Sequence, residues 1–233
     1  MPVHIHPTAP LAPRALLPGD PGRALALAQL VLTEPKMFNH NRGLWGYTGT
    51  AADGEPMTIQ STGMGGPSAA IVLEELCDLG LEVAIRVGTC GALDDELALG
   101  DLVIAETALA CDGASRALGA DGAVAADAAL VSALQHAAGA GNARTGPVAT
   151  SDLFYDRDRD RSHGWRRAGV LAVEMEAATL LRVGELRGIR VGCLLTVSDV
   201  IGTRRRIDAE ALLKAAEQLG RVGAGALGAC GPA

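Results

Sequence analysis

The sequence predicts an α/β protein, a single three-layer α/β/α domain with a central mixed β-sheet. Three observations predict it. Short apolar runs alternate with helical patterns along most of the chain, as in βαβ units, and an antiparallel hairpin is embedded among them. Hydrophobic residues make up 48% of the chain but aromatics only 3%, so a sizeable core must consist mainly of Val, Leu, Ile and Ala. Finally, 233 residues without a linker-like stretch fit one domain, 1–233, better than two.

Taken in order, Ala15-Leu16-Leu17 is an apolar strand that breaks into Pro18-Gly19-Asp20-Pro21-Gly22-Arg23. Pro21 suits the first position of a helix that continues through Ala24–Leu32. Segments 44–50 and 57–62 alternate as two strands around an Asp53-Gly54 turn. Gly63-Met64-Gly65-Gly66-Pro67-Ser68 opens a helix to about Leu79, with Ile71, Leu73, Leu76 and Leu79 apolar. Strands are expected near 83–87 and 102–109, a helix near 126–138, and strands near 146–150 and 170–173. A helix over about 175–187, a strand over 191–197 and a helix from about 208 to 227 complete the chain. Asp156–Arg161 alternates in charge and reads as a solvated loop or helix start.

The net charge of −7 argues against a nucleic-acid or anionic-membrane partner. Five cysteines with no C-x-x-C spacing and no nearby histidines read as reduced thiols without a metal site. Met1–His6 has neither the basic start nor the apolar core of a signal peptide. A cytoplasmic protein is the expectation.

Chemistry concentrates in a few segments. In Pro18–Arg23 and again in Arg86-Val87-Gly88-Thr89-Cys90-Gly91, an apolar run meets glycines with an arginine beside them. Glycine lets backbone N–H groups approach an anion closely, and a guanidinium supplies planar, bidentate donors for phosphate. Two such cradles converging on one phosphate would make phosphate a reactant. Val173-Glu174-Met175-Glu176 places two carboxylates where a strand becomes a helix, so that one can serve a site and the other the scaffold. A carboxylate matches the vicinal hydroxyls of ribose, though acids also suit a helix N-terminus. Asp199 ends the apolar strand Leu194–Val197. There it is either a partly desolvated proton donor for a departing base or part of a helix cap. His4 lies in a segment too short to bury itself, whose economical home is against another subunit.

Together these segments, with Asn41-Arg42-Gly43 and Ser151-Asp152-Leu153-Phe154-Tyr155, resemble the nucleoside phosphorylase-I family, in particular its bacterial hexameric purine nucleoside phosphorylases. The resemblance implies a phosphorylase/hydrolase-like fold and reversible phosphorolysis of purine nucleosides. Phosphate would be a co-substrate, and no cofactor or metal would be needed. It places Gly19, Arg23, Arg86 and Thr89 at phosphate. His4 and Arg42 would reach into a neighbouring subunit's site, His4 towards the 5′ position and Arg42 towards phosphate. Met64, Met175 and Glu176 would form the ribose pocket, with Glu176 on the hydroxyls. Phe154 would lie beside the base, and Cys90, Gly91 and Glu174 would border the nucleoside. Asp199 would protonate N7 of the purine, assisted by Arg206 out of Arg204, Arg205 and Arg206. A homo-oligomer, specifically a hexamer built as a trimer of dimers, follows from the same resemblance.

Rival readings are 5′-methylthioadenosine phosphorolysis, uridine phosphorolysis, nucleoside hydrolysis and non-enzymatic nucleoside binding. Asp112-Gly113-Ala114-Ser115 with Ser61-Thr62-Gly63 resembles uridine phosphorylases, but only 18 residues separate Tyr155 from Glu174 and none is the Gln those enzymes use.

Overall fold

A computed structural model describes residues 2–203 and 205–231. In chain order it holds β1 (Arg14–Leu17), α1 (Pro21–Val31), β2 (Thr33–Asn39), β3 (Gly46–Thr50), β4 (Pro56–Gln60), α2 (Gly66–Asp78) and β5 (Val83–Ala92). There follow β6 (Leu102–Ala110), α3 (Gly113–Ala117), β7 (Ala123–Ala125), α4 (Ala128–Ala138) and β8 (Ala143–Thr150). The chain ends with α5 (Arg159–Arg167), β9 (Ala172–Glu174), α6 (Ala177–Arg187), β10 (Arg190–Val200) and α7 (Ala209–Ala229). Aspartates begin many of the helices: Asp20, Asp112, Asp127, Asp158 and Asp208 each accept a backbone N–H of the first turn.

One mixed sheet carries the strands in the order β2-β3-β4-β1-β5-β10-β6-β8-β9. Strand β9 returns antiparallel onto the far end of β5, pairing Gly91 with Val173 and Ala92 with Ala172. Five strands thus close on themselves while β1 to β4 extend as an open wing. Side chains alternate along each strand, so both faces need cover. Leu16, Val83, Ile85 and Val87 face α1, α4 and α7, whereas Ala15, Leu17, Ala84 and Cys193 face α2 and α6. These are the three expected layers.

Several local expectations are corrected. Strand β2 follows the expected helix where the sequence pattern indicates no element; it is an edge strand in which only Phe38 and Asn39 are buried, and an edge tolerates Pro35. Ile71 is 41% exposed, because α2 buries Ala69, Val72, Leu73 and Leu76 instead. Strand β5 runs on through Gly88 and Gly91 because β10 pairs along it as far as Ala92. The charged run does start a helix, as expected, entering α5 at Arg159. Part of the N-terminal segment is anchored on its own chain: Ile5 is fully buried in the same core cluster as Phe38, and the N–H groups of Val3, His4 and Ile5 all donate to Glu75 on α2, while Val3 itself stays exposed. Burial would raise the Glu75 carboxyl, but these N–H donors and His4 outweigh it and bring the pKa down to about 2.

Gly66, the first residue of α2, shows how tightly the α2, α3 and α6 layer is assembled. A Cβ there would lie 2.6 Å from Thr179 Oγ1, 2.8 Å from Asp112 Oδ2 and 2.9 Å from Ala114 Cβ. Gly66→Ala is therefore expected to cost about 1–3 kcal/mol, read as a lowered melting temperature.

Candidate active site

The carboxyl ends of parallel strands gather most of the chemistry, as open α/β sheets generally arrange it. Pairing of β1 with β5 sets Leu17 beside Arg86, so Pro18–Arg23 leaves the sheet next to that arginine. Strand β10 sets Thr196 beside Thr89, and after a bulge Asp199 lies opposite Gly91. Thr62 N–H donates to Pro18 O at 2.9 Å, which stitches the loop before α2 to the first glycine loop.

Arg86 is the centre of the group. It is 3% exposed, and its Nε donates to Glu174 Oε2 at 2.9 Å while Nη2 lies 2.5 Å from Glu176 Oε2. Burial would lower the guanidinium's pKa, but attraction to Glu176 and Glu174 outweighs it and holds the value above the ordinary arginine range. The remaining nitrogen, Nη1, is buried and has no hydrogen-bond partner among the described residues. An orphaned guanidinium donor is costly unless something accepts from it.

Arg23 approaches from α1 and is half-buried. Burial depresses its pKa, attraction to Asp20 opposes that, repulsion from Arg86 lowers it further, and Glu176 opposes again. The two predicted arginines therefore stand within electrostatic range of each other, although 62 residues of chain separate them. Like charges brought together this way favour an anion between them.

The two glutamates divide as their positions imply. Glu174 is wholly buried: besides Arg86 it accepts Thr150 Oγ1 at 2.6 Å and the N–H groups of Glu176 and Ala177 at 2.8 and 2.9 Å. Burial raises its pKa, Arg86 opposes that, and Glu176 adds to the rise. With both oxygens engaged, Glu174 acts by holding Arg86 and the start of α6; the structure gives it no open face towards a nucleoside. Glu176 accepts the Gly65 N–H at 2.6 Å and pairs with Arg86, and a carboxylate still has lone pairs free for two hydroxyls. Met64, beside Gly65, is 86% exposed, and Met175 is half-buried between the glutamates.

The glycines of β5 earn their place differently from the expectation. A Cβ at Gly88 would sit 2.7 Å from Arg86 Nη2 and 2.8 Å from its Cζ, so Gly88 makes room for the guanidinium to fold over the strand. One at Gly91 would meet Ile201 Cδ1 at 2.6 Å and Asp199 Oδ2 at 3.1 Å. Gly19 lets two loops touch, since its Cβ would lie 3.1 Å from Gly63 O.

Asp199 accepts from Ser198 Oγ at 2.9 Å and forms an isolated antiparallel bridge with Arg206. The Arg206 guanidinium lies 5.8 Å from the Phe154 ring centroid, which brings the predicted acid, its assistant and the aromatic into one string. Arg205 is exposed nearby; Arg204 lies outside the described residues. Cys90 is buried and donates to Thr196 O at 3.6 Å, and burial pushes its thiol pKa well up.

His4 and Arg42 form a separate group. Asn41 Nδ2 donates to His4 O at 2.9 Å, and His4 Nδ1 meets Glu75 Oε1 at 2.8 Å. Glu75 lies nine residues beyond Gly66, roughly 14 Å along α2. Arg42 is exposed and adopts a left-handed φ of 57°, unusual for a residue with a side chain. Nothing among the described residues bonds either to the Arg86 group.

Sequence reasoning missed Thr150 and the Gly65 N–H. A hydroxyl ending β8 directly after Val148 and Ala149 was the available signal for the first. Among the described residues no group of three His, Cys, Asp or Glu side chains could hold a metal, and no helix is long and apolar enough to cross a membrane.

Comparison with known proteins agrees with this geometry. The family model described as "Phosphorylase superfamily" matches residues 13–228. A "Purine nucleoside phosphorylase DeoD-type" of Geobacillus kaustophilus is 41% identical over 216 residues, 90% of this chain and 91% of that protein. One of Clostridium novyi is 38% identical over 83% of this chain and 84% of its own length. A "Guanosine phosphorylase" of Halorubrum lacusprofundi is 35% identical over 84% of this chain and 83% of its own. With a family match spanning nearly its whole length, this chain belongs to the phosphorylase superfamily.

Proposed function

We propose that residues 1–233 form one purine nucleoside phosphorylase domain that reversibly converts a purine ribo- or deoxyribonucleoside and phosphate to free base and pentose 1-phosphate. The observation that carries the reading is the buried, unpartnered Arg86 Nη1 with the Arg23 guanidinium in range, next to a carboxylate suited to a diol. The names of the relatives support the purine as leaving group.

In this mechanism Glu176 grips the ribose hydroxyls, with Met64 and Met175 along the sugar. Phosphate, held by Gly19, Arg23, Arg86 and Thr89, attacks C1′ on the face opposite the base. The C1′–N9 bond breaks through an oxocarbenium-like state, as in other glycosyl transfers. The bonding electrons move into the purine, and Asp199 delivers a proton to N7. Arg206 stabilises the aspartate left behind, while Phe154, Cys90 and Gly91 border the base. Phosphate is a substrate here, and no cofactor enters.

His4 and Arg42 serve a neighbouring protomer's site in a homo-oligomer, a hexamer arranged as a trimer of dimers. Asn41, the neighbour of Arg42, ties that loop to His4, and among the described residues neither bonds to its own Arg86 group, which supports this. The setting is cytoplasmic purine salvage.

The test incubates the pure protein with inosine, adenosine, uridine and methylthioadenosine, each with and without phosphate. Free purine released from inosine or adenosine only when phosphate is present is the expected result. Equal release without phosphate would make the protein a hydrolase, and preference for uridine or methylthioadenosine would reassign the base or the 5′ group.

A further inference from the structure

The Asp112-Gly113-Ala114-Ser115 segment has no part in the mechanism above, yet its Asp112 and Ser115 are fully buried and form a polar knot. Asp112 is 0% exposed, and its carboxylate accepts Ser115 N–H at 2.8 Å, Thr179 Oγ1 at 2.7 Å and the Ser115 hydroxyl. All three donors are neutral; among the described residues no arginine, lysine or histidine is paired with it. A buried carboxylate without a cation is an expensive way to fill space, and an apolar side chain would pack the same junction at lower cost. What the carboxylate adds is direction: each bond fixes the orientation of its donor.

Those donors lie where orientation matters. Thr179 is the third residue of α6, and the residue preceding that helix is Glu176. Gly66 sits against both Thr179 Oγ1 and Asp112 Oδ2, and the residue before it, Gly65, supplies the N–H that Glu176 accepts at 2.6 Å. Asp112 thus grips the first turn of α6 by hydrogen bond and the first turn of α2 by contact, and Glu176 spans the gap between them.

We infer that Asp112, through Thr179, is a positioning residue that sets the orientation of Glu176 towards the sugar hydroxyls. The inference rests on the reading of Glu176 as the ribose-binding group and adds the element that aims it.

The test measures dissociation constants of wild type, Thr179→Val, Thr179→Ser and Asp112→Asn for inosine and for 2′,3′-dideoxyinosine, which lacks the hydroxyls, without phosphate. Thermal melts accompany each. Thr179→Val keeps the shape and loses the donor, and one lost hydrogen bond to a charged group corresponds to roughly tenfold. Inosine binding is expected to weaken by that factor in Thr179→Val and Asp112→Asn. Dideoxyinosine binding should stay nearly unchanged, and Thr179→Ser should restore inosine binding. Equal weakening of both ligands, or inosine binding unchanged in a variant that melts lower, would overturn the inference and leave Asp112 a packing element. If wild type itself binds the two ligands equally, the ribose role of Glu176 fails first. Should Thr179→Val not fold, Asp112→Asn and Thr179→Ser carry the same comparison.

Discussion

Replacing Asp199 with Ala is expected to lower turnover by about 10²–10⁴-fold while leaving nucleoside binding close to wild type. The purine leaves with the electrons of the C1′–N9 bond, and without a proton at N7 that charge must build up on the ring. In the proposed mechanism Asp199 supplies one: the bulge between Val197 and Asp199 sets it opposite Gly91, whose missing side chain leaves space, and Ser198 and the Arg206 bridge hold it there. A sharper version uses 7-methylinosine, whose N7 already carries a fixed positive charge. Its cleavage needs no proton, so the Asp199→Ala penalty should largely vanish. A penalty of equal size on both substrates would remove Asp199 from the acid role, as would unchanged turnover on inosine.

The second large effect separates the two arginines. Arg86→Met would strand Glu174 and Glu176 as buried carboxylates without their cation, and breaking a buried pair from one side costs about 3–5 kcal/mol. A marked drop in melting temperature is expected along with lost phosphorolysis. Arg23 makes no salt bridge among the described residues, and burial already disfavours its charge. Arg23→Met should therefore fold with near wild-type stability, yet raise the KM for phosphate by about 10–100-fold, as the loss of a charge-assisted contact implies. Thermal melts and phosphate titrations on both variants check this. Equal destabilisation, or an unchanged phosphate KM in Arg23→Met, would contradict the assignment.

Much of this arrangement was legible in the sequence because charged residues interrupt or follow apolar runs. Arg86 breaks the run of β5, Glu176 follows β9 by two residues, Asp199 lies near the end of β10, and parallel strands deliver such positions to one place. What was illegible depends on long-range contact. Gly88 looked like part of a backbone cradle for an anion, but its reason is the guanidinium two residues earlier folding over it. Glu174 and Glu176 were alike as letters; only the Thr150 hydroxyl and the first N–H groups of α6 assign one to the scaffold. The N-terminal segment seemed homeless because its host, Glu75, is some seventy residues away on a helix that local pattern cannot place beside it. Strand β2 was hidden by Glu34, Pro35 and Lys36, residues that an exposed edge tolerates and a central strand does not.

The claim on which all of this stands is that a single phosphate bridges Arg23 and Arg86 beneath the sugar. A crystal structure determined at saturating phosphate tests it most directly. The expected result is one phosphate accepting hydrogen bonds from both Arg86 Nη1 and the Arg23 guanidinium, on the Glu176 side of β5. Phosphate bound elsewhere, with the two guanidiniums turned to unconnected surfaces, would contradict it.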